Sequence, residues 1–314
     1  MQSEPFDVND FYSLLKAISQ ADESDRQELV EQFKQKYPNK FEWLEVLPRN
    51  EQHSIDTGIL PEIPGYKLIR LIGSGANGRV FLATDRSGQQ CAVKIPNMWL
   101  TEDQLSRFNH EVRVLSRLDH PNIARVKDFG EFVVADQKLP FLVMDYISGT
   151  AIDKCVQQQA LTHAAIVEMI ISVLEALKYA HQKSVIHRDI KPDNMLVNEQ
   201  GQPILLDFGI ATLGDEATQM LTQLTGTVDL VGTLGYMRPE QLTGHDKSDL
   251  RSDIYAMGVV LYQLLSGRLP IEIEASQFFS AVHDIINQTP ESLVSIDGKI
   301  DDGLAAIVNH ALEK

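Results

Sequence analysis

The chain has 314 residues, 43% of them hydrophobic, and sets 28 Lys and Arg against 44 Asp and Glu for a net charge of −16. That length supports one large domain or two smaller ones, and the acidic balance disfavours nucleic acid, whose phosphates need basic side chains to neutralise them. Two cysteines, Cys91 and Cys155, argue against a disulfide scaffold, no apolar run is long enough to span a membrane, and the acidic start MQSEPFDVND lacks the apolar core of a secretory signal. These features point to a reducing, cytoplasmic setting and to no membrane span in this chain.

Residues 1–50 read as a short acidic helical module. Phe11, Leu14, Leu15 and Ile18 recur at helical spacing. Ser24 and Gln27 have the spacing of a capping box for a second helix carrying Leu29, Val30 and Phe33, which Tyr37-Pro38 ends. Phe41, Trp43, Leu44, Val46 and Leu47 form an apolar cluster before Pro48. Such a module either docks on a partner or on the rest of the chain, or only completes the fold surface. Residues 51–64 are polar and Pro-bearing, as a linker would be.

Tyr66 to Ile72 reads as a strand, followed by a glycine-rich turn at Gly73, Gly75 and Gly78 and a second strand from Val80 to Thr84. Glycines let backbone N–H groups approach phosphate oxygens without a Cβ in the way. A Walker-type loop would need a helix after the turn and a Gly-Lys-Ser/Thr ending; both are missing. Lys94 ends the strand Cys91-Ala-Val-Lys, where an unpaired charge is costly, so it needs an acidic partner. The next helix offers one. Thr101 and Gln104 suit its capping box, and Leu105, Phe108, Val112 and Leu115 mark its apolar face. Glu111 lies within that face, whereas Glu102 and Asp103 sit in the first turn and serve the helix dipole. Asp119 to Ile123 reads as a turn. Phe141 to Ile147 is an apolar strand running into Ser148-Gly149. A long helix then spans Leu161 to Lys183, starting near Thr162, with Ile166, Met169, Ile170, Val173, Leu174 and Leu177 at helical spacing. His163 and His181 read as surface or core histidines, since no metal-site spacing accompanies them.

The densest chemistry follows. His187-Arg-Asp-Ile-Lys-Pro-Asp-Asn194 packs a carboxylate, cations and a carboxamide into eight residues, and Asp207-Phe-Gly209 comes thirteen residues later. Asp189 can orient and deprotonate a hydroxyl, and Asn194 and Asp207 can hold hard cations through oxygen. In this order and spacing the glycine turn, Lys94, the His-Arg-Asp stretch and Asp-Phe-Gly resemble the protein kinases, of the eukaryotic-like, bacterial serine/threonine type. The resemblance covers about residues 64–314.

The resemblance implies an α+β, bilobal fold: a small antiparallel sheet with one helix, then a mainly helical lobe, with ATP in the cleft. The kinase domain would occupy 65–314. Ile72, Gly73, Ser74, Gly75, Ala76, Asn77, Gly78, Val80, Ala92 and Lys94 would surround the nucleotide, and Glu111 would pair with Lys94. Met144 would be the gatekeeper, the Asp145 carbonyl and Ile147 N–H would bond the adenine, and Leu196 would lie under it. Asp189 would accept the substrate proton and Lys191 would steady the γ-phosphate. Asn194 and Asp207 would hold Mg²⁺, or Mn²⁺ in its place. His187 and Phe208 would be packing residues. Asp253 would hold the catalytic-loop backbone, in a helix that Ser252 opens.

Arg188 would grip a phosphate on the segment 207–240, where Thr225 and Thr227 are the expected autophosphorylation sites and Thr233 the residue contacting the catalytic loop. The implied partners are protein substrates, the same chain acting in trans, and a docking partner for the N-terminal helices; nucleic acid is not among them. Arg238-Pro-Glu240 departs from the family's Ala-Pro-Glu, a change expected to be mild. The family's final helix, and an arginine there that pairs with the residue matching Glu240, lie beyond the last residues, so Glu240 is expected to lack its cation. The rival reading is a pseudokinase or scaffold that binds nucleotide or partners without turnover. Lys94, Glu111, Asp189, Asn194 and Asp207 all being present speaks against it.

Overall fold

The computed structural model describes residues 18, 23–36, 60–75, 78–96, 102–134, 137–208, 234–243, 249–273 and 278–314. Expectations for the rest, including Phe11, Leu14, Leu15, the cluster 41–47, Ala76, Asn77, Thr101, Thr225, Thr227 and Thr233, lie outside the described residues. The chain divides into two units, one of Met1–Leu60 with Gly214–Leu230 and one of Pro61–Leu213 with Val231–Lys314.

In the first unit, helix α1 spans Glu23–Lys36. Its Phe33 is fully buried, as is Ile18. Ser24 is the second residue of this helix, which starts at Glu23, two residues before the start at Asp25 that the capping-box spacing implied.

The second unit opens on Ile63, which is buried and bridged to Tyr66. Its sheet comprises β1 (Lys67–Gly75), β2 (Gly78–Thr84), β3 (Gln90–Ile95), β4 (Val126–Val134) and β5 (Gln137–Asp145), in the order β1-β2-β3-β5-β4. Every pairing is antiparallel. Cys91 to Ile95 are buried in unbroken succession, the pattern of a strand covered on both faces. Helix α2 (Glu102–Leu115) packs Phe108, Val112 and Leu115 inward, on the face its spacing predicts.

Past β5 the unit is mainly helical. A three-stranded sheet, β6 (Gly149–Ala151), β7 (Met195–Asn198) and β8 (Pro203–Leu205), lies with helix α3 (Ile152–Gln159) and helix α4 (His163–Gln182). Thr162 caps α4 by accepting from Ala165 N at 3.3 Å, where the sequence put its start. Helix α5 is Pro239–Thr243, and α6 is Leu250–Ser266. Helices α7 (Phe278–Asn287), α8 (Leu293–Ile296) and α9 (Asp302–Ala311) complete the unit. Tyr255, Met257, Val259, Val260 and Tyr262 of α6 are all buried; a helix apolar almost all round belongs at the centre of its lobe. Asp249 caps α6, whose first residue Leu250 lies two residues before the start expected at Ser252. Among the described residues no helix is long and apolar enough to cross a membrane.

Candidate active site

The site starts from the hairpin of β1 and β2. Gly75 faces Gly78 across its tip, and Gly73 faces Val80. Gly78 has φ of +132°, and a Cβ there would stand 2.5 Å from the Ile95 carbonyl oxygen. Only glycine fits both demands. Register then aligns the expected nucleotide residues. Val80 lies opposite Lys94, and Ala92 opposite Met144. Ile72 and Val80 pack against the core cluster that holds Ala92 and Met144, so these four form one apolar surface.

Asp145 ends β5. Its side chain accepts from Arg125 N at 3.1 Å and pairs with Lys127 at 3.0 Å, while its own N–H donates to the Arg125 carbonyl. That leaves the following turn anchored, with Ile147 half-buried between β5 and β6. Leu196 sits in β7, opposite Ala151.

The catalytic-loop candidates gather between α4 and β7. Asp189 is ringed by its neighbours: Lys191 Nζ lies 3.1 Å from Oδ1, and Asn194 Nδ2 donates to Oδ2 at 2.9 Å and to the Asp189 carbonyl at 2.7 Å. Both Asn194 bonds use the amide nitrogen, so its carbonyl oxygen remains as a ligand for a hard cation. Leu206 N donates to the Asn194 carbonyl, which places Asp207 beside the loop.

Asp253 of α6 holds that loop from below. It is 1% exposed. It accepts from His187 N at 2.8 Å, Arg188 N at 2.9 Å and His181 Nε2 at 2.7 Å. His181 thus serves as a core histidine, as its isolated place in α4 suggested. His187 is fully buried. Its Nε2 lies 2.7 Å from the Leu206 carbonyl, which can only accept, and its Nδ1 receives the Asp189 N–H at 3.3 Å. The partners therefore fix a neutral ring with the proton on Nε2. Burial pushes this imidazole below its usual range, outweighing the carboxylates of Asp253, Asp189 and Asp207. The His187 and Phe208 rings pack at a tilt of 46° with centroids 4.6 Å apart, the packing role expected of both.

Arg188 and Asp207 have φ of +66° and +52°, a region that costs a non-glycine residue about 1–2 kcal/mol. Such outliers cluster where surroundings hold them for a purpose. Arg188 is held by its bond to Asp253. Asp207 is held by Lys94, whose Nζ lies 3.0 Å from Oδ2. Lys94 does not reach Glu111 within ion-pair distance among the described residues; burial raises the Glu111 carboxyl above its usual range, with the charges of Arg188 and His110 opposing.

The other oxygen of Asp207, Oδ1, is buried with no hydrogen-bond partner. A buried carboxylate oxygen left open suits a cation ligand. Among the described residues no group of three His, Cys, Asp or Glu side chains could hold a metal by itself. Asp207 with Asn194 fits an ion that draws its remaining ligands from phosphate and water, as Mg²⁺ does.

Two features escaped the sequence reading. Asn122, assigned only to a turn, donates from Nδ2 to the Pro203 carbonyl at 2.8 Å, and its own carbonyl accepts from Leu205 N. It thereby fixes the strand that delivers Asp207. Its adjacency to His120-Pro was the available signal, since side-chain amides often stand in for backbone in turns. Glu240 is the second. It was expected to lack a cation, but Arg238 Nη2 lies 2.9 Å from its Oε1. The arginine that stands where the family has alanine supplies that charge from two residues away.

The model of the protein kinase domain matches residues 66–314. The chain is 37% identical over 236 residues to "Probable serine/threonine-protein kinase PknB" of Bifidobacterium longum, covering 72% of this chain and 34% of that protein. It is 36% identical over 257 residues to "Serine/threonine-protein kinase pkn3" of Myxococcus xanthus, covering 79% and 46%. For "Serine/threonine-protein kinase PrkC" of Bacillus subtilis the identity is 35% over 225 residues, covering 69% and 33%. The chain thus spans less than half the length of these curated relatives. With the glycine hairpin, Lys94, the His187–Asn194 loop and Asp207 folded into one site under that match, the chain belongs to the protein kinase family.

Proposed function

We propose that this chain is a serine/threonine protein kinase that transfers the γ-phosphoryl group of Mg·ATP to Ser or Thr hydroxyls of proteins, its own activation segment included. The observation that carries this reading is the Asp189 carboxylate held by Lys191 and Asn194 beside the Lys94–Asp207 pair. In phosphoryl transfer the transition state is loose and its charge dispersed, so positioning counts for more than basicity. Asp189 orients the acceptor hydroxyl and takes its proton. Lys191, 3.1 Å from that carboxylate, carries its charge to the transferred group. Lys94 engages the α- and β-phosphates once it exchanges Asp207 for them, and Glu111 then becomes its partner. Asn194 and Asp207 hold the divalent ion, which when bound neutralises charge on the β- and γ-phosphates. The apolar surface of Ile72, Val80, Ala92 and Met144 receives the adenine, with the Asp145 carbonyl and Ile147 N–H as its polar contacts and Leu196 beneath.

Regulation in this reading runs through Thr225 and Thr227, whose phosphates Arg188 grips, while Thr233 contacts the catalytic loop. The site of action is cytoplasmic. Phosphate incorporation with Mg·ATP, compared between the 314-residue chain and Asp189→Asn and mapped by mass spectrometry, tests all of this. Label on Thr225 or Thr227 that disappears in the variant is the expected result. Folded wild-type chain that incorporates no label into itself or an added protein would overturn the reading in favour of a nucleotide-binding scaffold.

A further inference from the structure

Arg238 is 8% exposed and stands between two carboxylates. Its Nη2 lies 2.9 Å from Glu240 Oε1, and its Nη1 lies 3.6 Å from Asp249 Oδ1. Glu240 belongs to the short helix α5, on the near side of the stretch 244–248. Asp249 stands on the far side, as the cap of α6, where it also accepts from Arg251 N at 2.8 Å and Arg251 Nε at 2.7 Å. One guanidinium therefore ties α5 to the first turn of α6. A planar fork with two separate edges can do this, whereas an ammonium is a single point charge.

That first turn has a second attachment. Asp253 lies four residues after Asp249, about 6 Å further along the helix axis, and it holds the N–H groups of His187 and Arg188. The same turn of α6 is thus hydrogen-bonded through Asp253 to the loop carrying Asp189 and ion-paired through Asp249 with Arg238. Tyr236, two residues before Arg238, donates its hydroxyl to Gln263 further along α6 at 2.6 Å, so this end of the activation segment meets the helix at two places.

We infer that Arg238 is a positioning residue for the acceptor side of the reaction. It sets residues 234–243 in register with Asp189 by bridging Glu240 and Asp249, and so places the protein substrate rather than the nucleotide. This rests on the kinase reading above. A buried ion pair is by itself weak support for stability, and the family's usual alanine at this place makes no such bridge. The distinguishing property of Arg238 is the link it makes.

The test compares wild type, Arg238→Met, Arg238→Lys and Asp249→Asn in the 314-residue chain; the last keeps an acceptor oxygen for the α6 cap while removing the charge. The acceptor is a synthetic peptide of residues 218–233 of this chain. Arg238→Met is expected to raise KM for that peptide about ten-fold, a positioning loss of ordinary size, with KM for ATP within about two-fold. Arg238→Lys recovers part of the loss, and Asp249→Asn reproduces part of it. Amide hydrogen exchange quickens at 234–243 in Arg238→Met and stays unchanged in β1–β5. An unchanged peptide KM, or peptide and ATP KM values that rise together, would overturn the inference. If the wild type turns over no peptide, the kinase reading fails separately, and exchange at 234–243 decides on the Arg238 link by itself.

Discussion

Lys94 Nζ and Asp207 Oδ2 stand 3.0 Å apart, joining the central strand of the sheet to the turn after β8. Each is the other's counter-charge; in the proposed reaction Lys94 turns to the phosphates and Asp207 to the divalent ion. Lys94→Met leaves Asp207 without a cation and removes the phosphate contact. We expect kcat/KM to fall by about 100-fold or more, the scale of losing one charge-stabilising group. The melting-temperature rise on adding Mg·ATP should shrink in parallel. A thermal-shift titration alongside steady-state rates reads both.

Asn194 braces Asp189 through its nitrogen, and in the proposed reaction its oxygen is a ligand of the ion. Asn194→Ala should therefore lower kcat and shift the Mg²⁺ activation curve to concentrations about 10–100-fold higher, the range seen when metal-site support is removed. A chelator should abolish wild-type turnover, and excess Mg²⁺ should restore it. Rates measured across a Mg²⁺ series at fixed ATP would show an unshifted curve if Asn194 only supports the loop.

Asp253 satisfies two backbone N–H groups and one imidazole while almost wholly buried. Asp253→Ala strands all three donors. The expected loss of stability is about 3–5 kcal/mol, as for breaking a buried charged network, measured by urea denaturation. Circular dichroism should show whether the helical content survives at low urea, and turnover should vanish even where it does.

Acid should unfold the protein partly through His187. Its folded imidazole titrates below the usual value because of burial. Between that folded value and about 6.5 the unfolded chain binds the proton and the folded chain does not. Stability from this group is thus present above pH 6.5 and is lost as pH falls through the window, at a slope of up to about 1.4 kcal/mol per pH unit. Denaturant midpoints at pH 7.5 and 5.5 measure this. In His187→Gln the wild-type slope should diminish even though overall stability is lower.

Gly78→Ala meets the Ile95 carbonyl at 2.5 Å with φ of +132°. The β1–β2 tip must shift, at a cost of about 1–3 kcal/mol, and KM for ATP should rise more than KM for the acceptor peptide. Gly88→Ala is a control in a second positive-φ turn, with nothing within 4 Å of the added Cβ, and should leave both KM values as they are.

Where a residue's task was set by neighbours in sequence, the chain announced it. Cys91-Ala-Val-Lys94 reads as an apolar strand with a charge in need of a partner, and His187 to Asn194 as a stretch dense in polar chemistry. Thr162 before a 3.6-residue apolar pattern gave the start of α4. Tasks set by distant neighbours stayed hidden. Arg238 reads as a mild substitution until Asp249, eleven residues on, folds back beside it. Asn122 reads as a turn residue until β8, some eighty residues later, supplies the Pro203 carbonyl. The expectation that Lys94 pairs with Glu111 followed the family pattern, and the ion pair in the structure is with Asp207. That choice depends on how far α2 stands from β3, which no local spacing encodes.

The stitching of Arg125 to Asp145 bears on how the molecule can move. Arg125 N donates to the Asp145 side chain, Asp145 N donates to the Arg125 carbonyl, and Lys127 grips the same carboxylate. The chain entering β4 and the chain leaving β5 are therefore laced into a ribbon, not left as two independent cords. A cord can swivel about its own length; a ribbon bends across its flat face and resists torsion. Turning the chain where it leaves the sheet at Asp145 therefore requires the paired Arg125–Asp145 hydrogen bonds to break first.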